Sequence, residues 1–125
     1  MTIDGGTFAR STTGSPTYLL PNESGMTPKV IIYSISGKTS GDVENHRSLG
    51  WGFASTDMVT QNFGDTTGGK STDSSSKVIS HWSRVSGAIT EKIAATLTSV
   101  DVGEFTMNFT AADVNYNIHF LAIGD

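Results

Sequence analysis

The chain contains no cysteine and only three prolines in 125 residues. Without thiols, a disulfide framework and thiolate metal sites are excluded. Charge is scarce too. Only 16% of the residues are Asp, Glu, Lys or Arg, twelve acidic against eight basic, for a net charge of −4 and a pI near 5.2. There is no Lys/Arg run or basic stripe, so the electrostatic footprint of a nucleic-acid binder is missing. No apolar run approaches the ~18 residues of a membrane-spanning helix. The N-terminal MTIDGGTFARSTTG lacks the apolar stretch of a secretory leader, so the expectation is a soluble protein made in the cytoplasm without a signal peptide. What remains is rich in Ser, Thr, Gly and Asn, with 36% apolar residues. That composition suits strands joined by polar turns better than helices. The length fits one domain able to bury a core.

Apolar residues recur in short alternating stretches. Met1 to Gly14 carries Gly5 and Gly6 in its middle and reads as an N-terminal arm or an edge strand, with residues 15–125 forming the single domain. TYLL, Thr17 to Leu20, lies between Pro16 and Pro21 and reads as a short strand at an edge or corner. KVIIYSIS, Lys29 to Ser36, is the strongest strand. Its contiguous Val30, Ile31, Ile32 and Tyr33 suggest cover on both faces or a place at a subunit contact. GWGFAS, Gly50 to Ser55, resumes extended structure, and MVTQNF, Met58 to Phe63, is expected to pair with it. The polar stretches Gly37 to Leu49 and Gly64 to Ser76 read as loops. KVISHW, Lys77 to Trp82, is a further strand. Ala88 to Val100 is ambiguous: Ile89, Ile93 and Leu97 fit a helix, but its Thr and Val content favours a strand from about Lys92, preceded by a turn. Glu104 to Thr110 points Phe105, Met107 and Phe109 one way, and Asn115 to Gly124 does the same with Tyr116, Ile118, Phe120 and Ala122. The short connector between these two predicts an antiparallel hairpin. Seven to nine short strands and no confident helix predict an all-β, antiparallel β-sandwich, jelly-roll-like.

Motifs that would carry chemistry are weak. His46, His81 and His119 stand at no metal-ligand spacing, so no metal or other cofactor is expected. His119 alternates with Ile118 and Phe120 and so faces away from the core. Serines abound, but no GxSxG elbow is present. Gly64-x-x-x-x-Gly69-Lys70-Ser71 matches a phosphate-loop spacing formally, yet nothing around it supplies the buried parallel strand and following helix which that loop requires. The acidic positions Asp42, Glu44, Asp57, Asp65, Asp73, Asp101 and Asp113 read as turn residues. Asn22-Glu23-Ser24 and Asn108-Phe109-Thr110 match the glycosylation sequon. Trp51, Phe53 and Trp82 fit a sandwich core better than a sugar platform. An enzyme is not expected.

Three stretches carry a resemblance. They are FARSTTG, Phe8 to Gly14; PKVIIY, Pro28 to Tyr33, followed by a loop with His46-Arg47 and then GWGFA, Gly50 to Ala54; and the closing FTMNFT…HFLAIGD, Phe105 to Asp125. With these the chain resembles the small β-rich structural proteins of tailed bacteriophages, of the capsid decoration or cement kind. That resemblance implies a virion component on the outer capsid surface. It would bind the major capsid protein and itself, as a homotrimer, without nucleic acid, membrane or cofactor. It also implies partner contacts at Thr7, Phe8, Arg10, Tyr33, His46, Arg47 and Trp51. The alternative is a tail-associated receptor- or glycan-binding module that reads its ligand with the loops Gly37 to Leu49 and Gly64 to Ser76.

Overall fold

A computed structural model describes the backbone of residues 1–37, 49–53, 61–62, 72–73, 77–85 and 88–125, with side chains at 1–36, 77–81 and 90–125. His46, Arg47, the phosphate-loop spacing and most of the two long polar loops lie outside the described residues. The chain is all-β. In order, the strands are β1 (Thr2–Phe8), β2 (Thr17–Leu19), β3 (Pro28–Gly37), β4 (Leu49–Phe53), β5 (Gln61–Asn62), β6 (Thr72–Asp73), β7 (Ile79–Val85), β8 (Ala88–Asp101), β9 (Glu104–Ala111) and β10 (Tyr116–Gly124).

Two four-stranded antiparallel sheets form a β-sandwich, sheet A in the order β1-β10-β3-β4 and sheet B in the order β2-β9-β8-β7; β5 and β6 pair separately. The chain passes from sheet to sheet at β1–β2, β2–β3 and β9–β10, whereas β3–β4 and β7–β8–β9 continue within one sheet. Period-two alternation decides what each strand buries. Ile31, Tyr33 and Ile35 of β3, and Tyr116, Ile118, Phe120 and Ala122 of β10, point inward from sheet A. Phe105, Met107 and Phe109 of β9 and Ile93 and Ala95 of β8 meet them from sheet B. Phe105 and Phe120 touch edge to face at 5.0 Å, directly across the core. At the open side, the Phe8 ring of β1 stacks on Tyr18 of β2 at 3.8 Å and closes the gap between the two sheet edges.

Three expectations need correction. Glu104–Ala111 and Tyr116–Gly124 do not form a hairpin, because β9 belongs to sheet B and β10 to sheet A. Their apolar faces are matched across the core, not along one sheet, and a connector that crosses between layers serves that arrangement. Of MVTQNF, the described Gln61–Asn62 pairs with Thr72–Asp73 and not with the described part of GWGFAS, which lies in β4 and pairs with β3. The segment from Ala88 is strand throughout, four residues earlier than expected, and it pairs with both β7 and β9. Residues four apart share a face of a strand as well as of a helix, so Ile89, Ile93 and Leu97 were compatible with both. A bulge between Leu97 and Ser99 then reverses the alternation, so that Leu97 and Val100 both pack against the core.

One end of the sandwich is sealed by the segment 20–27. Leu20 and Met26 are buried there. The Leu20 N–H donates to the Gly103 carbonyl and the Gly103 N–H to the Met26 carbonyl, both at 2.8 Å, while the Thr27 N–H donates to the Asp125 carbonyl at 2.9 Å.

Candidate functional site

The sequence positions that alternate with the core define the outer face of sheet A. In register across the strands, Ile3 pairs with Ile123 and Ile123 with Val30; Gly5 pairs with Leu121 and Leu121 with Ile32; Thr7 pairs with His119 and His119 with Ser34. On β4, Phe53 stands opposite Val30, Trp51 opposite Ile32 and Leu49 opposite Ser34. The face therefore has two halves. One is aliphatic, formed by Ile3, Val30, Ile32, Leu121 and Ile123. Ile3 is 51% exposed and Leu121 40%, and the other three are half-buried. The second half is polar and uncharged, formed by Thr7, Ser34, Ser36, Asn117 and His119. None of these described positions carries a formal carboxylate, ammonium or guanidinium.

His119 anchors the polar half. Its Nδ1 lies 2.8 Å from Thr7 Oγ1 and its Nε2 2.7 Å from Ser36 Oγ. A neutral imidazole has one N–H and one lone pair, so one hydroxyl accepts and the other donates, and the ring is held across β1, β10 and β3. A serine hydroxyl on a histidine is the beginning of a nucleophilic site. Here, however, the third member is a threonine hydroxyl, which brings no charge to stabilise an imidazolium. With both ring nitrogens engaged, the cluster positions side chains on a surface. Among the described residues, no group of three or more His, Cys, Asp or Glu could hold a metal ion.

A second polar feature lies behind this face, at the sheet edge. Asp4 of β1 points inward and is 5% exposed. Its Oδ1 accepts from the Gly5 N–H at 2.8 Å and the Asn22 Nδ2 at 3.0 Å; its Oδ2 accepts from the Asn22 and Glu23 N–H groups, both at 2.9 Å. Burial alone would push this carboxyl up, but the bonds from Asn22, Glu23 and Gly5 outweigh it and hold the group below the usual carboxylate value. The sequence reading passed over Asp4. The available signal was an acid at an inward position between Ile3 and a Gly-Gly pair.

The residues that the resemblance assigned to partner contact are scattered. Thr7 lies on the outer face of sheet A, bonded to His119. Phe8 stacks on Tyr18 and packs against the core. Arg10 reaches back to the Thr13 carbonyl at 3.3 Å, and its guanidinium carbon lies 5.6 Å from the centre of the Phe109 ring. Tyr33 is 1% exposed and belongs to the core, so it presents no surface to a partner. Trp51 is placed in β4 by its backbone, opposite Ile32, and His46 and Arg47 fall outside the described residues. The remaining histidine, His81, is fully buried with its ring 4.7 Å from Tyr116. Sequence reasoning places Leu121 and Ile123 on the face of the last strand opposite Phe120 and Ala122 and allows KVIIYSIS a subunit contact, but it passes over Ile3, which stands in no apolar run.

Compared with protein-family models, with curated proteins and with solved structures, the chain matches none.

Proposed function

We propose that this chain is a virion structural protein of a tailed bacteriophage, a capsid decoration or cement protein that docks on the outer shell and stabilises it. The observation that carries the reading is the outer face of sheet A, aliphatic on one half and neutral-polar on the other. Depletion of charge around an apolar centre is the compositional mark of a protein–protein contact. The resemblance of FARSTTG, PKVIIY and HFLAIGD to phage structural proteins supplies the partner, the major capsid protein. The aliphatic half is small beside the roughly 800 Å² per partner of a standard stable interface. A homotrimer on a repeating shell answers that, because linked weak contacts gain affinity by about 10²–10⁴.

The test is binding to purified phage shells, with bound copies counted by cryo-electron microscopy. Many copies on the shell lattice, lost when Leu121→Asp and Ile3→Asp are introduced in a chain that still folds, support the reading. Absence from the shell overturns it, and density at the tail would transfer the protein to adsorption.

A further inference from the structure

We infer that the free edge of sheet A is a strand-pairing surface held shut by Asp4, and that its partner when opened is β1 of a second copy. Among the described residues, β1 ends the sheet and pairs only with β10. It runs for seven residues, TIDGGTF, with no proline and no lysine to blunt it. An edge of that length is a template for another strand unless something guards it. Gly5 and Gly6 at its centre leave no side chain to obstruct an approaching backbone.

Asp4 guards it in two ways. Its carboxylate takes the Gly5 N–H, a donor in the middle of the edge strand. The same carboxylate gathers the Asn22 and Glu23 N–H groups and the Asn22 side chain, and so ties the segment after Leu20 against β1. The second guard is electrostatic. A two-fold pairing of β1 with its copy about Gly5 sets Thr2 opposite Phe8, Ile3 opposite Thr7 and Asp4 opposite Gly6. No like charges stand directly opposed, and Ile3 extends the aliphatic outer face across the seam. The two Asp4 carboxylates then fall on the diagonal, about 7–8 Å apart on the inward side. At that separation, out of water, they repel each other. Ionised Asp4 thus opposes the pairing which the rest of β1 permits.

The inference is independent of shell binding, which uses the outer face and not the edge. Its test is Asp4→Asn in the full chain, read by light scattering together with amide hydrogen exchange at Thr2–Phe8. The expected result is a folded protein whose mass doubles over the wild type at equal concentration, with β1 amides exchanging more slowly. Asn22→Ala, which removes one of the four bonds and leaves the charge, shows a smaller shift in the same direction and serves if Asp4→Asn does not fold. A folded variant with unchanged mass and faster β1 exchange overturns the inference, as does a wild-type chain already protected at β1 by self-association.

Discussion

Replacing Gly103 by alanine unseats one end of the sandwich. Asp101 and Glu104 pair across the β8–β9 turn, leaving Val102 and Gly103 as the turn residues. Gly103 has φ +77°, the left-handed region that costs other residues roughly 1–2 kcal/mol. Conformation is the smaller part of the cost. A β-carbon there would lie 2.3 Å from the Ser24 carbonyl oxygen, a backbone atom that cannot swing aside. The segment 20–26 must move, which strains the two 2.8 Å bonds joining Gly103 to Leu20 and Met26, each worth about 1 kcal/mol. Leu20 and Met26, now 4% and 2% exposed, lose part of their cover. The expected loss is about 3–5 kcal/mol, a large share of the roughly 5–15 kcal/mol that holds a domain together. Urea unfolding with linear extrapolation measures it, provided the m-value is unchanged. Gly25→Ala is the internal control: no atom lies within 4 Å of its added carbon, and it should shift stability by less than about 0.5 kcal/mol. A Gly103→Ala loss below about 1 kcal/mol would refute the docking of turn and segment described here.

Tyr33→Phe is expected to raise stability by about 1 kcal/mol, because its buried hydroxyl has no hydrogen-bond partner among the described residues; a loss of that size in urea unfolding would show the hydroxyl to be bonded. Burial raises the Tyr18 phenol to about 12, against a lowering influence of Arg10. A raised folded value means that the stability contributed by Tyr18 is complete below the ordinary phenol value near 10 and is lost as pH rises through about 12; Tyr18→Phe should flatten that alkaline limb in pH-dependent unfolding. Asp4 runs the opposite way, since its folded value is depressed. Its contribution is present above the ordinary carboxylate value near 4 and disappears as pH falls through the lower folded value, so Asp4→Ala should weaken the acid limb and leave the alkaline one intact. An acid limb of equal steepness in the variant would assign it to other carboxylates.

The fold was legible where alternation is clean. EFTMNFTA and YNIHFLAIG announce both their strand character and their buried residues, because every second side chain is large and apolar, and the structure buries those residues. Partnership was not legible. Two strands joined by a short polar connector fit a hairpin in one sheet and a crossing between sheets equally well in sequence. What separates them is the packing of Phe105 against Phe120 across the core, a contact no local pattern encodes. The extent of β8 was obscured for a related reason. Its bulges shift the phase of burial, so neither a pure two-residue nor a pure helical period describes it.

The site was hidden by the same ambiguity at the level of faces. In KVIIYSIS and HFLAIGD, apolar residues occupy both parities, and the sequence alone does not choose between cover on both faces within the chain and a subunit contact. The structure divides them: Ile31 and Tyr33 enter the core, while Val30 and Ile32 join Leu121, Ile123 and Ile3 on the outside. A strand that needs only one apolar face to fold but carries two has a second requirement placed on it. The polar half of the same strands strengthens the argument. Ser36, His119 and Thr7 come from three strands, yet they form one bonded row with no charge in it. Solubility alone would favour charged residues at such positions. On a chain with 20 charged residues (12 acidic and 8 basic), the positions named on this face carry none, and the exposed Lys29–Asp125 ion pair stands only at its end, beside the Val30–Ile123 pair; that is the pattern expected of a docking surface.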